Sequence, residues 1–210
     1  MPGGTVGVTQ ETAYPNDGRV RLTLSPERPQ RFALRLRIPT WTRDRFVPGE
    51  LYRYLEGEPV EWTVRVNGQP ADVKLEAGFA VIRRQWKPGD VVELELPMPV
   101  RFNTSDERVE ANRGRVAVTR GPLVLCAEEA DNGGPVQRLA LEEIPAAASM
   151  EVGTAEIAGG HEAIQVILPG AGAEHGKMVL IPYYAWNNRG PGSMSVWLPR
   201  QPRHDAGNDQ

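Results

Sequence analysis

Residues 79–98, FAVIRRQWKPGDVVELELPM, constrain the fold more than any other stretch of the chain. Ala80, Ile82 and Trp86 share one face of a run with period 2. Val92, Leu94, Leu96 and Met98 share one face of the next run, with Glu93 and Glu95 on the other. This is the spacing of a half-buried strand, because successive side chains leave opposite faces of the backbone. Between the runs, Lys87-Pro88-Gly89-Asp90 reads as a type II turn: Pro presets φ at the second position and Gly supplies a positive φ at the third. Two alternating strands around a tight turn predict an antiparallel hairpin. The same grammar recurs through most of the chain, and no comparable helical stretch answers it.

Val20, Leu22 and Leu24 alternate with Arg19, Arg21 and Thr23, and Phe32, Leu34, Leu36 and Ile38 alternate with Arg31, Ala33, Arg35 and Arg37. Each pattern predicts an antiparallel strand with one dry face and one wet face. Residues 25–29 link them as a turn, and Pro39 closes the second because it cannot donate to a ladder. Residues 42–61 break the rhythm as a long, mixed-charge excursion of the kind that contacts partners. Trp62, Val64 and Val66 resume it and end at Asn67-Gly68, a hairpin signal, with a further strand expected near 71–75. After Pro97-Met98-Pro99 the chain turns polar, which places a domain boundary near residue 102.

Val116 and Val118 begin a second set of strands. Residues 121–127 form a continuous apolar run, the mark of a strand buried on both faces. Short strands are expected around Leu139–Leu141 and Ser149–Ile157, and another at Ile164, Val166 and Leu168. Met178–Ala185 and Met194–Leu198 read as a closing strand pair around the Asn187–Gly192 turn. The fold class is therefore all-β, with two antiparallel β-sandwich domains in tandem, 1–101 and 102–210. Sandwiches of that size bury only about 60–65% of their unfolded surface and gain from docking on something larger.

A net charge of −3 argues against a general nucleic-acid partner. Lys74, Lys87 and Lys177 are the only lysines among 24 basic residues, so the cations are overwhelmingly guanidinium forks, suited to carboxylates and sugar hydroxyls. Codon bias offers a plainer origin for the same composition. Cys126 is the only cysteine, so the chain can form no internal disulfide and no cysteine-based metal site of its own. No apolar run reaches the ~20 residues of a membrane span. The opening Met1-Pro-Gly-Gly leads into polar residues without a signal segment, so the expected location is cytoplasmic if the chain is complete and open otherwise.

Few residues suggest chemistry. Gly170 to Lys177 has the wrong spacing for a phosphate loop, with Met178 where a Ser or Thr is required, and reads as an inter-strand loop. Glu128, Glu129 and Asp131 offer carboxylates, but consecutive residues on a strand point to opposite faces, so a solvated strand end is the plainer reading. His161, His175 and His204 read as isolated surface histidines, and Cys126 as a small buried residue without a nearby base. Asn103-Thr104-Ser105 fits a glycosylation acceptor. The aromatic cluster is richer. Tyr183, Tyr184, Trp186 and Trp197 stand beside Asn187, Asn188 and Arg189, and aromatic faces with amide and guanidinium donors suit a sugar ring. The same residues would equally fill a core or a domain interface. Tyr183, Trp186, Asn188, Arg189 and Trp197 are the candidate site, as sugar contact or interface.

A set of segments in order along nearly the whole chain resembles one family. They are Glu11-Thr12-Ala13-Tyr14-Pro15 with Asp17-Gly18, Leu34-Arg35-Leu36-Arg37-Ile38-Pro39 with Trp41, Val66-Asn67-Gly68, and Gly78-Phe79 through Trp86 with Gly89-Asp90. Leu96-Pro97-Met98, Asn112-Arg113-Gly114-Arg115-Val116-Ala117, Arg120-Gly121-Pro122-Leu123-Val124, and Tyr184-Ala185-Trp186-Asn187-Asn188-Arg189-Gly190 with Met194 and Trp197 follow. Together they resemble the non-catalytic C-terminal half of glycoside hydrolase family 127, the β-L-arabinofuranosidase-like enzymes. Asn16 and Leu125 depart from residues common there, Trp and Tyr, without touching chemistry.

The resemblance implies that an α-helical barrel outside this region carries the catalysis, with a cysteine nucleophile, a glutamate acid/base and a zinc ion. None of these transfers to a residue here: catalytic, cofactor and metal residues are none, and zinc is implied only for the catalytic domain. The implied role is a β-sandwich portion, inactive alone, that packs on and stabilises a helical barrel in cis or in trans. The alternatives are a free-standing carbohydrate-binding module for a plant-type arabinose-containing glycan, or a separate subunit docking on a barrel protein. No nucleic acid and no membrane enter as partners.

Overall fold

The computed structural model describes residues 4–44, 46–56, 58–157 and 161–200, apart from the side chains of Ile157 and His161. The chain forms two compact units, residues 1–47 with 58–99 and residues 48–57 with 100–210. In chain order the strands are β1 (Val6–Thr12), β2 (Arg19–Pro26), β3 (Gln30–Arg37), β4 (Tyr52–Tyr54), β5 (Thr63–Val66), β6 (Gln69–Pro70), β7 (Lys74–Glu76), β8 (Phe79–Trp86) and β9 (Asp90–Glu95). They continue as β10 (Val100–Ser105), β11 (Arg115–Arg120), β12 (Leu123–Glu128), β13 (Glu151–Ile157), β14 (His161–Pro169), β15 (Lys177–Pro182), β16 (Met194–Ser195) and β17 (Trp197–Pro199). The one α-helix among the described residues, α1 (Glu129–Asn132), is a single turn. All the strand pairings are antiparallel, as the alternation predicts.

In the first unit a five-stranded sheet, β1-β2-β9-β5-β6, faces a three-stranded sheet, β3-β8-β7. The predicted dry faces meet in one core: Leu22 and Leu24 from β2, Leu36 from β3, Val64 and Val66 from β5, Ala80, Ile82 and Trp86 from β8, and Val92 and Leu94 from β9. Trp86 is fully buried, and its indole N–H donates to the Phe32 carbonyl at 3.2 Å.

One expectation fails here. Residues 79–98 are not a hairpin, because β8 lies in the three-stranded sheet and β9 in the five-stranded one. The turn itself forms, with Gly89 at φ +84° and Asp90 N–H donating to the Lys87 carbonyl at 3.1 Å, but it carries the chain across the sandwich. Residues 27–29 likewise carry β2 across to β3. Period 2 specifies which side chains face the core, and a core can be faced from either sheet. Strand β8 is paired on both edges, by β3 and β7, and has none left for β9.

Asn67-Gly68 does form its hairpin, between β5 and β6. The Asn67 side chain then locks the crossing turn: its amide donates to Asp90 at 2.9 Å and its carbonyl accepts the Val91 N–H at 2.8 Å. Gly18 has no freedom to grow, since a Cβ there would stand 1.8 Å from the Leu96 carbonyl oxygen.

The second unit is one curling sheet, β13-β14-β15-β12-β11-β10-β4, folded around Phe102, Val116, Val118, Leu125, Val166, Leu168, Met178, Leu180 and Leu198. Strand β4 comes from the 42–61 excursion: Tyr52, Arg53 and Tyr54 pair with Ser105, Thr104 and Asn103. Residues 48–57, which the sequence reading leaves in the first domain, therefore belong to the second unit. The cut drawn between 101 and 102 falls inside β10.

Strand β12 is buried on both faces apart from Val124. The expected pairing of 178–185 with 194–198 does not occur. Strand β15 bonds one edge of β12, while β16 and β17 enter the fork where β11 and β12 splay, β16 on β12 and β17 on β11. Leu139 and Leu141 are fully buried, but residues 139–141 make only isolated bridges, Ala140 with Ala171 and Leu141 with Arg200. Residues 170–176 form the β14–β15 loop, as expected.

Candidate functional site

Residues 183–193 run from one edge of β12 to the other and pass over its outer face. Pro182 ends β15, and Tyr183–Ala185 form a 3-10 turn. Ala185, with the half-buried Trp186, Met194 and Val196, then packs on Cys126, Ala163 and Ile181 to form a small second core outside the sheet. Asn187 takes a left-handed φ of 63° and Gly190 one of 104°, which turn the chain back.

Polar side chains at the end of β12 pin this strap. Glu128, only 3% exposed, accepts the Asn187 N–H at 2.9 Å on one carboxylate oxygen and Arg189 Nη2 on the other. Arg189 also grips Asp131 with both prongs, Nη1 to Oδ1 at 2.5 Å and Nη2 to Oδ2 at 2.6 Å. Asp131 first, and then Glu128, hold the guanidinium well above its usual pKa against the opposing effect of burial. Glu129 engages the far end of the strap. Its carboxylate accepts the Ser193 N–H at 2.9 Å and the Ser193 hydroxyl at 2.7 Å, which holds its pKa below the usual range.

Asn132, 1% exposed, ties α1 to the sheet. Its amide donates to the Glu128 and Val179 carbonyls at 2.8 and 3.0 Å, and its carbonyl accepts the Val179 N–H at 2.9 Å.

These carboxylates are therefore neither a catalytic pair nor a solvated strand end. Glu128 is buried because β12 ends beneath the strap, and a buried carboxylate needs its charge matched. The pattern of consecutive acids gives no hint of this, since the matching Arg189 lies about 60 residues away in sequence.

The candidate residues divide. Tyr183 and Trp186 come together, ring centroids 6.4 Å apart and planes 37° from parallel. Tyr183 and Tyr184 are 49% and 58% exposed, so the strap presents aromatic surface outward. Asn188 folds back, its amide donating to the Ala185 carbonyl at 3.0 Å, and Arg189 is committed to its two carboxylates. Trp197 packs instead with Tyr52 of β4, at 6.1 Å. Tyr52 lies in the irregular excursion, where no periodicity marks it.

Among the described residues, the remaining candidates do not assemble a reactive centre. Burial pushes the Cys126 thiol up to about 12, with the charges of Glu128 and Asp131 adding, so it stays protonated at neutral pH and is no nucleophile. Among the described residues no three His, Cys, Asp or Glu side chains gather as metal ligands, and the zinc of the resembled catalytic domain finds no fitting donor set here. Asn103 is 2% exposed and its amide donates to the Ala117 carbonyl and the Thr119 hydroxyl, so the folded chain offers no glycan acceptor there. His175 is exposed, 3.9 Å from Glu174. His204 and the side chain of His161 lie outside the described residues.

Comparison with known proteins divides the chain at the same point near residue 99, but keeps residues 48–57 with the first part. The family profile "Beta-L-arabinofuranosidase, GH127 middle domain" matches residues 2–98, and "Glycoside hydrolase family 127 C-terminal domain" matches residues 100–199. A curated relative, a non-reducing end β-L-arabinofuranosidase of Bifidobacterium longum subsp. longum, is 34% identical over 92% of this chain. A solved family 127 β-arabinofuranosidase superposes on 93% of the chain with a TM-score of 0.83 and 37% identity. A β-L-arabinofuranosidase from Geobacillus stearothermophilus T6 covers 96%, with a TM-score of 0.76 and 35% identity. The chain spans 30% of the curated relative and 32% and 31% of the two solved chains.

Proposed function

The chain belongs to glycoside hydrolase family 127, as the middle and C-terminal domains of that family, and from this we propose that it is the non-catalytic support of a β-L-arabinofuranosidase-like hydrolase, packing on and stabilising a helical catalytic barrel. The observation that carries this reading is the extent of the match: the middle-domain and C-terminal-domain profiles match residues 2–98 and 100–199, yet the chain spans under a third of each relative. The internal chemistry agrees. Glu128, Glu129 and Asp131 are consumed in holding the strap, and Cys126 is held as a thiol.

The exposed Tyr183 and Tyr184 are the contact we assign to the barrel, because aromatic surface held on a pinned strap is the kind of patch a partner covers. The test is reconstitution with the catalytic barrel of a family member expressed separately. We expect a stable complex, a rise in the barrel's Tm, and loss of both on Tyr183→Ser with Tyr184→Ser. Hydrolysis of an aryl β-L-arabinofuranoside by the chain alone would sink the reading.

The Tyr183–Trp186 pair favours a second reading, a sugar-stacking module for an arabinose-containing glycan. Titration with arabinan oligosaccharides decides it. A change in tryptophan fluorescence abolished by Trp186→Ala supports the module, and a flat titration removes it.

A further inference from the structure

The arginines singled out by composition are not scattered evenly over the first unit. Directly paired residues in an antiparallel sheet point to the same side. On the outer side of the three-stranded sheet the register places Lys74, Val81 and Arg35 in one row, Glu76, Phe79 and Arg37 in the next, then Ala33 with Arg83, and Arg31 with Gln85. Five cations thus share a face with one carboxylate. Glu76 is already engaged, by Arg83 at 3.0 and 2.9 Å and by Arg35 at 3.5 Å. Side chains of Arg35 and Arg83 remain about half exposed, and Arg31 and Arg37 are exposed as well. The outer side of the five-stranded sheet is different, with Arg21 set between Glu11 and Glu93.

We propose that this arginine face is a docking surface for a linear carboxylated polysaccharide, a polyuronate. The family reading contributes only the class of polymer, a glycan; the charge and geometry come from the sheet. Alternate residues along a strand stand about 6.8 Å apart and neighbouring strands about 4.8 Å apart, so Arg35 and Arg37 follow one another along β3 with Arg83 close by on the neighbouring strand. Guanidinium forks match carboxylates in paired hydrogen bonds. Some are already oriented: the Arg37 guanidinium lies 5.1 Å from the centroid of the Phe79 ring.

A folded acidic protein is the poorer occupant. Protein interfaces are built on an apolar centre with a polar rim, and this face has none. Val81 is 3% exposed between Arg35 and Lys74, and Phe79 lies under Arg37. A polyanionic glycan needs no apolar centre.

The test is a titration of the full chain with oligogalacturonates and with their methyl esters at low salt. We expect the charged oligomers to bind, the esters not to, and added salt to weaken binding. An exposed charge pair is worth about two- to threefold in affinity, so the triple variant Arg31→Gln, Arg35→Gln, Lys74→Gln should bind about tenfold more weakly. Glu76→Gln, which frees Arg83 and Arg35, should bind about two- to threefold more tightly, a gain that misfolding cannot imitate. Equal binding of charged and esterified oligomers, or unchanged affinity in both variants, overturns the proposal. So does equal binding of duplex DNA at matched charge, which marks a general cationic surface. Poly-glutamate binding where oligogalacturonate does not would assign the face to an acidic protein and overturn it too. Barrel reconstitution is read out on Tyr183 and Tyr184 of the other unit, so the two tests use different residues and their failures are distinguishable.

Discussion

The two units hold themselves together by different means. The first closes two sheets on a continuous apolar core, with Trp86 and Leu24 fully buried, and keeps most of its charge outside in exposed pairs such as Arg21–Glu93. The second has an apolar core of its own, but much of its backbone is irregular, and buried or partly buried polar groups fasten that backbone to the sheet: Glu128 and Asp131 to Arg189, Asn132 to Val179, Glu129 to Ser193. Regular strands satisfy their own backbone groups, so a sheet sandwich needs little besides apolar side chains. A strap that crosses a sheet face has no ladder of its own and must find partners among side chains.

The largest effect should come from the first core. Trp86→Ala removes a fully buried indole and its hydrogen bond to Phe32, and should destabilise the first unit by about 3–5 kcal/mol in urea unfolding. In the second unit Arg189→Met strands two carboxylates that are 4% and 11% exposed, and should cost about 3 kcal/mol. Asn132→Leu leaves the Val179 N–H and two carbonyls without their partner and should cost about 2 kcal/mol. Arg21→Ala, on the half-exposed outer face, should cost under about 1 kcal/mol. The comparison breaks if Arg21→Ala proves as costly as Arg189→Met.

The same contrast explains how much could be read from sequence. Alternation identifies the strands of the first unit other than β1, which is exposed along nearly its whole length, and nearly all of its core, because a half-buried strand writes its environment into every second residue. It could not say which sheet a strand joins, and so residues 79–98 read as a hairpin when they cross between sheets. In the second unit the double burial of β12 was visible as an apolar run, whereas its cover was not. The strap has no period, and the acids that hold it lie in a segment whose composition suggests solvent. Of the candidate residues, Tyr183 and Trp186 stand together as a ring pair. Trp197 was grouped with them by proximity in sequence, which the entry of β16 and β17 between β11 and β12 undoes.

The smallest effect concerns acid, and it sharpens the comparison at the strap. The Ser193 N–H and hydroxyl hold Glu129 below its ordinary pKa, so folding favours the charged form. A group depressed in this way contributes its stabilisation above the unfolded-state value, about 4.3, and loses it as pH falls through the lower folded value. Glu76 in the first unit and Asp106 in the second behave alike, held down by Arg83 and Arg108. Those two lie in surface ion pairs that salt screens, whereas Glu129 depends on hydrogen bonds to Ser193. Raising salt should therefore weaken the acid response of the first unit more than that of the strap. Glu129→Gln should remove the part of the strap's acid response that Glu129 carries below about 4.5, read as hydrogen exchange at the Asn187–Ser193 amides. An unchanged acid profile in that variant would mean that the Glu129 clamp is incidental and that Arg189, with Glu128 and Asp131, holds the strap without it.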